Sequence, residues 1–236
     1  MANPLRRNEV PAYYSYAWGP DSAAIVGIAR DPAGNDTAVY LANSETEPKP
    51  MGSPDFPWAR LLNELVRREG APGPRIAPDE AVRVTGASWA ANAPAFALSV
   101  VAGNDSFLLV FGVSKRKVGI GGFKSFKGHE IGSAAFAPGG SAVVVPINPR
   151  DGKSRPGLLR VDLRIGMGQM IASGAFSMPS YSPKGDRVLA TLSDEIRQTR
   201  NVVTIDLATG KTNQLTRDGG SYDAIWSPMS DARGSR

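Results

Sequence analysis

The chain contains no cysteine and a single histidine, His129. Disulfides, thiolate catalysis and cysteine-ligated metals are thereby excluded. One imidazole also leaves little from which to build a zinc site or a Ser-His-Asp relay. Long apolar runs are missing too. The longest, "SAAIVGIA", has eight residues, against the roughly 20 that a membrane-crossing helix needs. The opening "MANPLRRNEVPAYYSYAW" carries two arginines with no apolar core behind them, so it does not read as a signal peptide. There is no G-x-S-x-G turn to strain a serine nucleophile and no D-x-[DN]-x-[DN]-G calcium loop. His129, beside a glycine in "FKGHEIG", reads as a solvated turn residue rather than a general base.

What is present is ordinary for a globular protein with a real core. Of 236 residues, 42% are hydrophobic and 21% charged, far from the composition of a disordered chain. Glycine (26) and proline (19) are plentiful, as a fold with many short turns requires. The net charge of +5 favours anionic surfaces without marking the chain as a nucleic-acid binder.

The most informative pattern is a repeat. "YSPKGDRVLATL" from Tyr181 has near-copies in "WGPDSAAIVGIA" from Trp18 and "FAPGGSAVVVPI" from Phe136, with a bare "WSPMSD" from Trp226. Aromatics 136, 181 and 226 are 45 residues apart. A looser copy, "WAANAPAFALSVV", starts 47 residues before Phe136 at Trp89, and Trp18 lies one repeat plus an insertion earlier. Within the unit from 177, "MPSYS" predicts a first strand and "SPKGD" a tight turn. There the proline presets φ, and Gly185 takes a conformation that side chains with Cβ avoid. "RVLATLSD", the alternating "NVVTIDL" and the polar "TNQLTRD" predict three more strands. Second strands such as "AIVGIA", "FALSVVA" and "AVVVPI" are apolar on both faces, which suits a sheet packed between two others. Four antiparallel strands per repeat make a propeller blade. The turn closes the first hairpin of each blade, and the aromatic before it is expected to plug the packing between blades.

The fold class predicted is therefore all-β: a propeller of four-stranded antiparallel blades, with about four complete repeats and the start of a fifth. The chain reads as one domain over 1–236. Its repeats fall near 14–86 (helical insertion 46–80), 87–133, 134–176, 177–221 and, in part, 222–231.

On the "SPKGD" turn, the "IDLATGK" strand and turn, the "QLT" strand and the next "WSP", the sequence resembles the TolB-type, WD40-like (PD40) β-propeller repeats. The resemblance is specific over 177–228, good over 14–42 and 134–172, and loose over 87–133. The same repeat occurs in the propeller domains of prolyl-oligopeptidase-type serine peptidases. The resemblance implies a propeller with a protein-binding role and a bacterial, periplasmic or envelope-associated setting. It transfers no catalytic residue and implies no cofactor or metal. Two functions follow as expectations. The first is a non-enzymatic scaffold or accessory subunit of a larger envelope-associated assembly. The second is the substrate-gating propeller of such a peptidase, with the catalytic domain outside this sequence.

Two departures from the repeat mark candidate contact surfaces. In "SPDFPWARLLNELVRREG" apolar residues recur at 58, 61, 62, 65 and 66, one stripe of a helix. Asp55 or Ser53 is placed to cap its start, and Gly70 followed by "APGP" to stop it. Trp58, Leu61, Leu62 and Leu65 either lie against the propeller's own flank or dock a partner. The second departure is size: fewer blades than members of that family usually have. An open propeller leaves strand edges unpaired, so closure is expected from an added N-terminal strand in "LRRNEVPAY", from a partner protein or self-association, or from further chain.

The run "VSKRKVGIGGFKSFKGHEIG" lacks the GK[ST] ending of a phosphate loop. It falls on the outer strand and turns of the second blade. Lys115, Arg116, Lys117, Lys124 and Lys127 there form either a solvated edge or a contact for an acidic protein or lipid headgroups; nucleic acid is disfavoured. Asp21, Asp162, Asp186, Asp206 and Asp218 recur at equivalent places in the repeats. They are expected to bond backbone N–H groups of nearby turns.

Overall fold

The computed structural model describes residues 12–19, 24–30, 36–42, 49–51, 58–68, 70, 76–77, 80–114 and 117–226. They form one helix and four sheets, each an antiparallel meander in chain order. The first sheet runs β1 (Ala12–Trp18), β2 (Ala24–Arg30), β3 (Asp36–Ala42), β4 (Lys49–Met51). After α1 (Trp58–Arg68), the second runs β5 (Val82–Trp89), β6 (Ala95–Ala102), β7 (Asp105–Ser114), β8 (Lys117–Lys127). The third comprises β9 (His129–Ile131), β10 (Ala135–Phe136), β11 (Ala142–Pro149), β12 (Gly157–Asp162) and β13 (Gly168–Ser173). The fourth runs β14 (Ala175–Tyr181), β15 (Arg187–Asp194), β16 (Thr199–Asp206), β17 (Thr212–Gln214). Among the described residues the four sheets are not closed into a ring. This is the predicted all-β propeller of four-stranded blades.

The hairpin turn has the chemistry its sequence demands. In the fourth blade Gly185 sits at φ +74° and donates its N–H to Ser182 O at 2.8 Å, while Ser182 N bonds Arg187 O at 2.9 Å. Gly140, at φ +68°, repeats the first bond to Ala137 O at 2.8 Å. Ala137 N→Ala142 O and Ala90 N→Ala95 O, both 2.9 Å, close the same turn in the two preceding blades.

Strand alternation then divides each apolar strand between two cores. In β6 and β7, Phe96, Leu98, Val100, Phe107, Leu109 and Phe111 face the first blade and α1, whereas Ala97, Leu108 and Val110 face the third blade. In β11, Val143, Val145 and Ile147 join the second-blade side and Val144 the fourth. Strands buried on both faces are thus what radial stacking produces. Each fully buried Leu or Phe contributes about 1.5–3 kcal/mol.

The third blade's first strand is broken. β9 pairs with the Ile147–Pro149 end of β11, and β10 with Val143 and Val144. The strand therefore starts at His129, ahead of the aromatic that marked the repeat, and His129 is a half-buried strand residue, not one in a solvated turn. Carbonyls on the open side of this edge strand and at the break need partners. Hydroxyls of the second blade supply them: Thr85 Oγ1 to Ile131 O (3.1 Å), Ser99 Oγ to Gly132 O (2.7 Å) and Ser106 Oγ to His129 O (2.8 Å).

The helical stripe lies in the core between the first two blades. Trp58, Leu62, Leu65 and Val66 are buried there with Val84, Phe96 and Ile76, and Leu61 is half-buried at its margin. Gly70, at φ +82°, ends the helix region by bonding Arg67 O at 3.1 Å. Asn63 then fixes the returning chain with two bonds to the Ile76 backbone, Nδ2→O at 2.8 Å and N→Oδ1 at 3.1 Å. Asp55, Ser53, the "APGP" segment and the "LRRNEVPAY" segment up to residue 11 lie outside the described residues.

Candidate functional site

The first strands of the blades come together: β10 touches both β5 and β14. Where their C-terminal ends meet lies an open cleft of about 740 Å³. Its wall is the repeat itself. Trp89, Phe136, Tyr181 and Trp226, the aromatics at successive repeat positions, all line it, as do Pro138 and Pro183 two residues beyond theirs. Met178, 52% exposed, and Ile225, 81% exposed, add apolar surface at the rim. Asp223 is the sole carboxylate among the described residues of this wall. The lining suits an apolar, extended guest held by a few polar contacts.

The aromatics serve two purposes at once. Trp89 packs on Phe96 with ring centroids 5.1 Å apart, Phe136 is buried in the second–third blade core, and Tyr181 packs against the third–fourth one. Each still presents an edge to the cleft. Burial holds the Tyr181 phenol above its ordinary pKa, with Arg160 opposing the shift. The Ser88 hydroxyl, on the same wall, is buried without a hydrogen-bond partner among the described residues. The sequence led to the aromatics as interblade plugs; their second role needed the geometry, although the shared repeat register was its visible signal. Met178, Asp223 and Ile225 carry no motif of their own.

The sequence-derived contact residues lie elsewhere. Trp58, Leu62 and Leu65 are turned into the core, and Leu61 is half-buried. On β8, the outermost strand of its sheet, Lys124 is half-buried and Lys127 exposed. Three residues apart on one strand, they project to opposite faces, Lys124 on the side of Phe126 and Lys127 on that of Phe123. The backbone of Lys117 opens the strand opposite Ser114; Lys115 and Arg116 lie outside the described residues. The glycines of this strand flank a register irregularity between Val110 and Phe111 of its partner.

Among the described residues, no constellation of a hydrolase surrounds the cleft. His129 stands away from it, with its Nδ1–H donated to Lys127 O at 2.7 Å. Among the described residues, no group of three or more His, Cys, Asp or Glu side chains is placed to hold a metal ion. The recurring aspartates are occupied in turns. Asp162 Oδ1 accepts Arg164 N (2.9 Å), Asp206 Oδ1 accepts Ala208 N (3.1 Å) and Thr209 N (2.9 Å), and Asp218 Oδ1 accepts Gly220 N (3.2 Å) and Ser221 N (3.1 Å). Asp186 accepts Ser182 Oγ at 2.7 Å. Asp21 lies outside the described residues. Side-chain bonds from Arg164, Ser182, Thr209 and Ser221 lead the causes that hold these four carboxyls below their ordinary pKa.

No helix among the described residues is long and apolar enough to cross a membrane. No protein-family model and no curated relative matches the sequence. Among solved structures, the chain is similar to TolB from Acinetobacter baumannii (TM-score 0.60, 16% identity), covering 87% of this chain and 44% of that one. It is similar to a putative TolB from Agrobacterium tumefaciens (TM-score 0.54, 15% identity), covering 89% of this chain and 67% of that one. A puromycin-hydrolyzing peptidase of Mycobacterium tuberculosis also aligns (TM-score 0.55, 12% identity), over 87% of this chain and 29% of the peptidase. The chain thus spans less than half of the first and under a third of the last. At these identities the likeness establishes the fold: a TolB-like β-propeller.

Proposed function

We propose that this chain is a non-enzymatic propeller scaffold, an accessory subunit that holds a protein partner within a larger, envelope-associated assembly. The observation that carries the reading is the cleft: four repeat aromatics, two turn prolines and exposed Met178 and Ile225 converge on it, with Asp223 the single carboxylate among its described lining residues. Such a surface favours a peptide or protein segment over a charged small metabolite. The test is cross-linking of the purified chain to proteins of its native membranes and lysate. Met178→Asn and Ala91→Arg, both on the cleft wall, should cut the specific cross-links about tenfold without changing the melting temperature. Undiminished capture by both variants would remove the cleft from the reading.

The likeness to the peptidase favours a second reading, the gating propeller of a prolyl-oligopeptidase-type enzyme. A hydrolase domain encoded in the same reading frame would establish it.

A further inference from the structure

The turn between β12 and β13 departs from its repeat partner in one respect. Residues 162–167 and 206–211 fold alike. Gly166 N bonds Asp162 O at 2.8 Å, and Asp162 N bonds Met167 O at 2.9 Å. In the fourth blade Gly210 N bonds Asp206 O at 2.8 Å, and Asp206 N bonds Lys211 O at 3.0 Å. The two glycines stand at φ +66° and +69°, and each aspartate accepts the N–H two residues on. The side chains differ. Where the fourth blade places Thr209 and Lys211, the third places Ile165 and Met167, both 67% exposed. The fourth blade shows that the turn closes with polar residues, so folding does not ask for the apolar ones. Single exposed apolar residues are common. A pair on one tight turn, in place of a hydroxyl and an ammonium, calls for something that covers it.

The surroundings of the pair are basic. Leu163 N bonds Ser141 O at 2.9 Å and Leu207 N bonds Asp186 O at 3.0 Å. These turns therefore stand at the same end of their blades as the turns that close the first hairpins. That end carries Arg164, Lys184, Arg187 and Lys211, all exposed. β7 ends and β8 begins at this end of the second blade, and the sequence joins them through Lys115 and Arg116. The described acids of these turns are fewer. Asp162 pairs with Arg164 at 3.1 Å, Asp186 accepts Ser182 Oγ, and Asp206 accepts Thr209 Oγ1 at 2.8 Å. The opposite strand ends mix the signs, with Arg150 beside Glu130 and Arg197 beside Asp194. Ile196, 96% exposed there, follows Asp194 and Glu195, whose charge repels an anionic surface.

We propose that this end of the third and fourth blades docks on an anionic lipid bilayer, with Ile165 and Met167 entering the boundary between headgroups and acyl chains and the surrounding cations resting on the headgroups. Apolar area buried at that boundary and attraction to anionic lipid are the two contributions to peripheral membrane binding. The tip of a tight turn is convex. Acyl chains close around a convex tip without the matched socket that a protein partner would have to supply. The proposal goes beyond the scaffold reading and does not depend on the cleft: it names the surface on which the propeller lies.

The experiment uses the full chain and sedimentation with vesicles, one set of phosphatidylcholine alone and one of phosphatidylcholine and phosphatidylglycerol in equal parts. Binding should be at least about tenfold stronger to the anionic set and should weaken as salt is added. Ile165→Thr/Met167→Lys copies the fourth blade's turn, so it should fold, and it adds a positive charge. Insertion predicts that this variant binds about tenfold more weakly, whereas a contact made by charge alone would be strengthened. Lys184→Glu/Lys211→Glu should also weaken binding, and Ile196→Asp should leave it unchanged. No preference for the anionic vesicles, undiminished binding by either double variant, or a loss with Ile196→Asp overturns the proposal. If the wild type instead binds poly-glutamate and not vesicles, the face takes an acidic protein and the membrane reading falls. Cross-linking at the cleft is read separately, so either proposal can fail alone.

Discussion

The indole N–H of Trp226 reaches back 46 residues to the carbonyl of Ser180, 2.9 Å away. Bonds of almost this span recur around the propeller. Thr85 Oγ1 bonds Ile131 O, and Asn92 Nδ2 bonds Pro138 O, each also 46 residues away. Arg150 Nη1 bonds Gly103 O at 2.6 Å over 47. In these four bonds about one repeat length separates partners on adjacent blades, while Ser99–Gly132 and Ser106–His129 cross the second–third seam over 33 and 23 residues.

Trp226→Phe keeps an aromatic ring and deletes the donor. The expected loss is about 1 kcal/mol of stability, seen as a lower denaturant midpoint. Stronger amide exchange should be confined to residues 221–226. An effect spread evenly over all four blades would contradict the local pinning described here.

The seam around the broken strand should be more sensitive. Ser99 is 1% exposed, and its hydroxyl is bonded to Gly132 O at 2.7 Å. Ser99→Ala leaves that carbonyl without its side-chain donor, at a cost of about 1–3 kcal/mol. Gly86 lies against Ser133, where an added Cβ would stand 2.5 Å from the Ser133 Cα. Gly86→Ala should therefore cost about 1–3 kcal/mol through overpacking. Urea titrations of the two variants measure both.

The helix permits a comparison within one turn. Leu62 is fully buried and Leu61 only half-buried. Leu62→Ala should cost about 2–5 kcal/mol, and Leu61→Ala distinctly less. If Leu61→Asp folds normally but loses a partner, the exposed margin of this helix is a contact surface as well as a prop.

These examples show what the sequence made legible. Turn chemistry and alternation are local, so "SPKGD" and "RVLATLSD" located β14 and β15 closely, and the both-faced apolar strands announced radial packing. Ser99 within "FALSVVA" was opaque because its partner, Gly132, belongs to another blade and exists as an acceptor only where the strand breaks. The assignment of His129–Ile131 to the third sheet was hidden for the same reason: pairing with β11 is non-local. The cleft lay between these extremes, its aromatics visible and their convergence not. Lys124 and Lys127 looked like one patch in the sequence, but strand alternation parts them.

The turn carboxylates set the acid response. Folding lowers their pKa, so the stability they supply is complete above the unfolded value of 3.8 and is lost as pH falls toward the folded values, about 2 for Asp151. Backbone N–H bonds from Ser154 and Lys153 are the leading causes there. The denaturant midpoint should hold steady from neutrality down to about pH 4 and fall below it. Asp151→Asn keeps an acceptor oxygen and removes the titration, so its acid limb should be shallower than that of the wild type. A midpoint already falling between pH 7 and pH 5 would assign the response to other groups.

The outer edge of the second blade is long and partly apolar. β8 runs 11 residues from Lys117 to Lys127 and is the terminal strand of its sheet. An edge of that length, with Ile120 and Phe123 packed on the core and Phe126 buried, is a template for pairing with another chain. Lysine discourages that pairing, because a second copy would bring like charges together and would desolvate them. Replacing Lys124 and Lys127 with threonine retains strand propensity and removes the charge. Light scattering of the double variant should therefore rise at concentrations where the wild type stays clear, while its melting temperature changes little. Added salt should push the wild type in the same direction by screening the charges. If the double variant instead stays clear and loses binding to acidic proteins or anionic vesicles, these lysines form a contact surface, and edge protection is not their task.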